Sequence, residues 1–252
     1  MSFSLEERDR YARQLILPEI GEAGQERLRA GGVLVVGAGG LGSPAALYLA
    51  AAGVGTLGIA DADVVETSNL QRQLLHNTSD VGRLKAESAA EKLRALNPHV
   101  HVRLHVERLS PVNSERILGG YDFVVDATDN FTAKFLIADA CHCARKPYSH
   151  AGILGFLGQT MTVHPGVTAC YRCVFDSPPD EPAGLRPQGP LGAVPGVIGA
   201  IQATEAIKYL LGIGAPLLNT ILVYEALKMT FRRVPVRRSP ECRLCGECAQ
   251  RL

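Results

Sequence analysis

An apolar run, Val33-Leu34-Val35-Val36, passes directly into Gly37-Ala38-Gly39-Gly40-Leu41-Gly42, and a helix-like segment from Ser43 to Ala52 follows. That order prescribes a strand, a tight turn and a helix. The turn's backbone N–H groups and the helix N-terminus together form a seat for an anion. Asp61 closes a second apolar run, Thr56-Leu57-Gly58-Ile59-Ala60, where a ribose-binding carboxylate is expected in such a fold. Taken alone the loop says nucleotide, with NAD the commonest. The remaining features shift the expectation to ATP.

Downstream the pattern alternates strand and helix, as a parallel sheet covered on both faces requires. Leu5 to Leu15 and Glu22 to Arg29 read as helices ahead of the first strand. Arg83 to Leu96 reads as a helix stopped by Asn97-Pro98, Val100 to Val106 as an alternating strand, and Phe123-Val124-Val125 as another. Thr132 to Arg145 is helical, and two strand-like runs follow near His150 and Gln159. Val197 to Leu211 predicts a buried helix, and Thr220 to Tyr224 and Met229 to Val234 predict late antiparallel strands. The expected fold is a Rossmann-like α/β protein: an open, mostly parallel sheet with helices on both faces, late antiparallel strands and a C-terminal zinc knuckle. One unit over 1–252 suffices, with N-terminal helices over 1–30 and a nucleotide-binding core over 31–165. Residues 166–252 then hold a Pro/Gly-rich mobile loop at 177–190, the buried helix, the late strands and the metal site.

The 252 residues carry a formal net charge of +1, so no concentrated basic face suggests nucleic acid or a membrane surface. The N-terminal ten residues lack the apolar core of a signal peptide, and no apolar run reaches membrane-spanning length. Seven cysteines without an export signal point to a reducing, cytoplasmic setting in which clustered cysteines bind metal before they form disulfides. Two C-x-x-C knuckles, Cys170/Cys173 and Cys242/Cys245, together complete a tetrahedral structural zinc site. Unrelated pairs or a redox motif are the alternative. Cys248 is a poorer ligand by spacing, and Cys141 and Cys143 read as helix-core residues.

Charges gather at the predicted carboxyl ends of strands, where open α/β sheets bind ligands. Asp61 and Asp63 follow the second strand, Asn69-Leu70-Gln71-Arg72-Gln73 comes next, Lys85 begins a helix, and Asp126-Ala127-Thr128-Asp129-Asn130 follows another strand. Two carboxylates, a guanidinium and an ammonium around a glycine loop suit a triphosphate with Mg²⁺ better than a dinucleotide. His99, His101 and His105 share one strand face, which strict alternation explains as a solvated face. Arg232-Arg233 and Arg237-Arg238 read as a solvated edge, and His142, His150 and His164 receive no role.

With Arg10-Tyr11-Ala12-Arg13-Gln14, the Gly37–Gly42 loop, Asn69 to Gln73, Lys85, Thr128-Asp129-Asn130, both knuckles and the helix from Gly196 to Leu211, the chain resembles the ThiF/MoeB/HesA adenylyltransferases over nearly its whole length. These are bacterial relatives of the ubiquitin-activating enzymes. The resemblance implies ATP-dependent adenylation of the C-terminal Gly-Gly carboxylate of a ubiquitin-like sulfur carrier. It implies that Gly37, Gly39, Gly40 and Gly42 approach the phosphates and that Asp61 holds the ribose. Asn69, Arg72 and Lys85 then contact phosphates, Asp129 binds Mg²⁺, and Asp63, Gln73 and Asn130 complete the nucleotide set. Arg13 reaches across a homodimer into the other subunit's triphosphate. Many relatives carry a cysteine before the Gly196 helix, where Leu185 stands here. The expectation is therefore a reaction that stops at the acyl-adenylate and leaves sulfur to a separate donor. With only a short stretch after Cys245, no fused rhodanese domain of the kind some relatives have is expected. The alternatives are adenylation of another acyl or peptide substrate, an NAD-dependent oxidoreductase, and a non-catalytic scaffold.

Overall fold

The computed structural model describes residues 3–177 and 189–247; most of the 177–190 segment, with Leu185, and also Cys248 lie outside the described residues. Eight strands form one sheet: β1 (Gly32–Val36), β2 (Thr56–Ala60), β3 (His101–His105), β4 (Phe123–Asp126), β5 (Tyr148–Leu154), β6 (Leu157–Val163), β7 (Thr220–Glu225) and β8 (Thr230–Pro235). Their order is β3-β2-β1-β4-β5-β6-β7-β8. The first five pair in parallel and the rest antiparallel. β1 lies between β2 and β4, so connections leave it on opposite sides and a crevice opens above its carboxyl end.

The nine α-helices among the described residues are α1 (Leu5–Arg10), α2 (Ala12–Leu15), α3 (Gly21–Ala30), α4 (Gly42–Ala51), α5 (Lys85–Leu96), α6 (Ser114–Leu118), α7 (Phe131–Cys143), α8 (Tyr171–Val174) and α9 (Ala193–Leu211). β1 is buried throughout, and its alternation sorts two cores. Val33 and Val35 pack with Leu49, Leu93, Ile198 and Ala203 on the α4/α5/α9 face. Leu34 and Val36 pack with Ile117, Phe135, Ile137 and Tyr171 on the other, where the cysteine knuckles also lie.

Four expectations are corrected. The Leu5–Leu15 helix is broken at Tyr11 (φ −96°, ψ 8°), because that buried ring turns inward to reach Asn97 at 2.9 Å. Cys141 is buried but Cys143, at the last turn of α7, is exposed. His105 turns off the solvated face toward the Tyr121 hydroxyl, 2.8 Å away, whereas His101 stays exposed. Arg238 is not merely a solvated edge: its Nε donates to the Cys245 carbonyl at 3.0 Å. No described helix is long and apolar enough to cross a membrane.

Candidate functional site

The glycine loop joins β1 to α4 in a turn that has no room for a side chain at its two ends, Gly37 and Gly42. Gly37 has φ +98°, a left-handed value that L side chains resist. A Cβ on Gly42 would stand 1.8 Å from the Gly37 carbonyl oxygen. Around this turn the crevice assembles from the ends of three strands. After β2, Asp61 Oδ2 accepts the Ala38 N–H at 2.8 Å and its Oδ1 accepts the Asp63 N–H at 2.8 Å. After β4, the chain closes on the loop so tightly that a Cβ on Gly37 would meet the Ala127 carbonyl at 2.8 Å. Asp129 follows two residues later and is exposed.

The segment after Asp63 folds over the loop. Asn69 is buried and caps its own turn, its Oδ1 accepting the Glu66 N–H at 3.2 Å. Arg72 donates to the Ser68 carbonyl at 3.1 Å and has no ion-pair partner among the described residues. Its Cγ lies 3.3 Å from where a Gly40 Cβ would be. Gln73 is buried with its Nε2 3.6 Å from the corresponding point at Gly39, and its Oε1 has no partner. Lys85, first residue of α5, is buried and pairs with Asp63 at 3.7 Å, while Arg108 takes the other Asp63 oxygen at 3.0 Å. Asn130 caps α7, its Oδ1 accepting the Ala133 N–H at 2.9 Å.

Arg13 alone stands apart. It is exposed, without a partner among the described residues, beside Gln14, whose Nε2 donates to Ala52 at the C-terminal end of α4. The glycine loop is at the opposite end of that ten-residue helix, roughly 15 Å away. Within one chain Arg13 does not join the crevice.

A second constellation underlies the turn carrying Asp129, and single-residue reading missed it. Asp126, fully buried at the end of β4, accepts from Thr128 Oγ1 at 2.6 Å, Thr128 N–H at 3.1 Å and His150 Nδ1 at 2.9 Å. Lys134 Nζ lies 3.5 Å from its Oδ2 and donates to the carbonyls of Thr128 and Ala151, both at 2.6 Å. Burial alone would raise this carboxyl's pKa, but Lys134, His150 and Thr128 outweigh it and hold the group at about 2. His150 is pushed down by burial, against the opposing pull of Asp126, so a neutral ring donates to an ionised carboxylate. From α9, Gln202 Nε2 donates to the Asp126 and Ser149 carbonyls at 3.0 Å each, pinning β4 to β5.

On the antiparallel half, Cys170, Cys173, Cys242 and Cys245 bring four sulfurs within 4.8 Å of one another. Neighbouring separations are 3.7 Å (170–173), 3.5 Å (170–242) and 3.3 Å (173–245). A tetrahedral zinc with bonds of about 2.3 Å needs sulfur–sulfur edges of about 3.8 Å, so the donor set and its size fit that ion. Burial, then the neighbouring thiols, push the Cys170 pKa up, the cost a bound cation would remove by taking the thiolate. The Ser239 N–H, 3.4 Å from Cys173 Sγ, supplies an outer-shell contact of the kind that orients ligands.

A doubly wound sheet with a glycine turn at its switch point, and four clustered thiols that could hold a metal ion on its antiparallel half, define the class: a nucleotide-binding α/β protein. The profile of the ThiF family matches residues 11–244, and the chain belongs to that family. It is 48% identical to the sulfur carrier protein adenylyltransferase of Thermus thermophilus, over 98% of this chain and 94% of that one. It is also 48% identical to the adenylyltransferase and sulfurtransferase MOCS3-2 of Zea mays, over 94% of this chain but only 50% of that protein, of which it spans about half. Among solved structures, E. coli MccB with ATP superposes with a TM-score of 0.83 at 26% identity, over 94% of this chain and 75% of that one.

Proposed function

We propose that the chain is an ATP-dependent adenylyltransferase that activates the C-terminal Gly-Gly carboxylate of a ubiquitin-like sulfur carrier protein. The observation that carries this reading is the set of groups bordering the glycine loop: Asp61 on its backbone, Arg72 over Gly40, the Lys85–Asp63 pair and exposed Asp129. The near-full-length identity to an enzyme named for this reaction supports it. In the reaction a carboxylate oxygen attacks the α-phosphorus of ATP. The new acyl–O–P bond forms as the bond to pyrophosphate breaks, and no proton moves because the nucleophile is already ionised.

Like charges meet in that step, so catalysis is chiefly electrostatic. Arg72, free of any carboxylate partner among the described residues, is available to phosphate. Lys85 can exchange Asp63 for a phosphate oxygen. Asp129, held out by the buried Asp126 network, would hold Mg²⁺, whose charge offsets the triphosphate. The four cysteines would hold a structural Zn²⁺. Asp61, Asn69, Gln73 and the glycines would cradle the nucleotide. Because Arg13 lies far from its own loop, its place in the reaction is the crevice of a second copy in a homodimer. We further propose a cytoplasmic setting, the whole 1–252 span as one adenylation unit, and a separate sulfur donor.

ATP–pyrophosphate exchange with a panel of Gly-Gly-ending carriers tests the reading. Exchange that depends on one carrier and falls about 100-fold or more in Asp129→Ala is the expected result. Exchange with no carrier moves the enzyme to another acyl substrate. Undiminished exchange in Asp129→Ala removes that residue from the metal site.

A further inference from the structure

Beneath the glycine loop runs a line of buried polar groups that the proposed chemistry leaves unused. His76 is 5% exposed. Its Nε2 lies 3.0 Å from the Ala38 carbonyl oxygen and its Nδ1 2.9 Å from Ser88 Oγ on α5. Lys92, one turn further along α5, donates to Ser88 Oγ at 3.1 Å and pairs with buried Asp80. A carbonyl can only accept, so the ring proton sits on Nε2. Burial keeps the ring neutral against the weaker pull of the Ala38 contact. Nδ1 therefore accepts the Ser88 hydroxyl proton, while the Ser88 oxygen accepts from the Lys92 ammonium. The Ala38 carbonyl sets the imidazole tautomer, and the Ser88–Lys92–Asp80 cluster braces the far side of the ring.

What it fixes in the loop follows from peptide geometry. In a planar trans peptide the carbonyl and the following N–H point opposite ways. The Ala38 carbonyl is drawn toward His76, so the Gly39 N–H points away from it, and that N–H has no partner among the described residues. The Ala38 N–H is already committed to Asp61. At Gly39 no atom crowds the turn: a would-be Cβ would make only an ordinary contact, with Gln73 Nε2 at 3.6 Å. We infer that His76 is a positioning residue: it locks the Ala38–Gly39 peptide so that the Gly39 N–H stands free toward the crevice as a donor to a nucleotide phosphate. The inference rests on the nucleotide reading above.

A merely structural histidine would cost stability without sorting ligands by their phosphates. Calorimetric titration of the full chain with ATP·Mg²⁺ and with adenosine, beside thermal melts, separates the two roles. His76→Leu is expected to weaken ATP on the order of 10- to 100-fold, as for a lost hydrogen bond to a charged group, with adenosine changed by less than about threefold. His76→Gln, whose side-chain amide can reach the same carbonyl, should recover most of the loss. Ser88→Ala keeps the ring but removes the contact that braces its Nδ1 side and should fall between; these two variants carry the test if His76→Leu does not fold. Equal weakening of ATP and adenosine, or no change in their ratio across the variants, overturns the role of His76. Wild type that binds neither ligand overturns the nucleotide reading itself, and this inference with it.

Discussion

A carboxylate as deeply buried as Asp126 is tolerable only while its partners stay in place. Replacing Lys134 with methionine removes the ammonium and leaves an uncompensated charge, a change that costs on the order of 3–5 kcal/mol. Urea denaturation of Lys134→Met should show a loss of that size; a loss under about 1 kcal/mol would mean that water or His150 replaces the ammonium. Because the folded pKa of Asp126 is depressed to about 2, its stabilisation is present above the unfolded carboxyl value of about 4 and drains away as pH falls toward 2. His76 and His150, also held below their ordinary value, act with the same sign but begin losing stability nearer pH 6.5. Unfolding free energies measured from pH 7 to 3 should therefore decline in two stages, and the lower stage should shrink in Asp126→Asn. None of this network was legible in the sequence. His150 lies 24 residues from Asp126, and nothing local to it reveals the carboxylate that parallel pairing of β4 and β5 brings alongside. His76 sits three residues beyond the charged motif that drew attention, its partners 38 and 12 residues away.

Elements were more readable than their interior contacts. β1, the glycine turn and α4 were legible because Gly37 and Gly42 leave no other chain path. The late strands were legible because alternation survives at a half-exposed sheet edge. The break at Tyr11 was not, since two helical turns of suitable residues give no sign that one aromatic ring will be pulled down to Asn97. Of the apolar residues that marked α9 as a buried helix, Leu211 is fully buried, while Val197, Ile201, Ile207 and Leu210 are only partly buried. Val194, Ile198 and Leu211 share the buried face with small and polar residues, Gly199, Gln202, Ala203, Glu205 and Ala206, because the helix must come close to the start of α4: a Cβ on Gly199 would stand 2.3 Å from the Leu41 carbonyl. The paired knuckles were readable as chemistry because their spacing alone states a ligand set. Elemental analysis should find about one zinc per chain, and Cys245→Ser should lose it together with several degrees of melting temperature. Retention of the full melting temperature after chelation would make the cysteines bystanders.

At the scale of the molecule, the question is whether one chain is a complete enzyme. Arg13 and the glycine loop sit at opposite ends of α4, so the proposed role of Arg13 demands a neighbour. Mixing two inactive variants, Arg13→Ala and Asp129→Ala, tests this directly. In a mixed two-fold dimer one crevice receives both wild-type residues and the other receives neither, so random pairing restores about a quarter of wild-type exchange. No recovery after subunit exchange would place Arg13 outside the chemistry. The cysteine clasp bears on a different moment in the life of the protein. Cys170 and Cys242 are 72 residues apart, with α9, β7 and β8 between them. On the ribosome the parallel half of the sheet emerges first and can begin to fold, while the first cysteine pair waits as an open dithiol. An ion can be enclosed only after the intervening helix and hairpin have been made and laid down in order. Under the zinc reading proposed above, metal capture would be a closing step of biogenesis, and a chain halted before Cys242 would lack half of the proposed ligands.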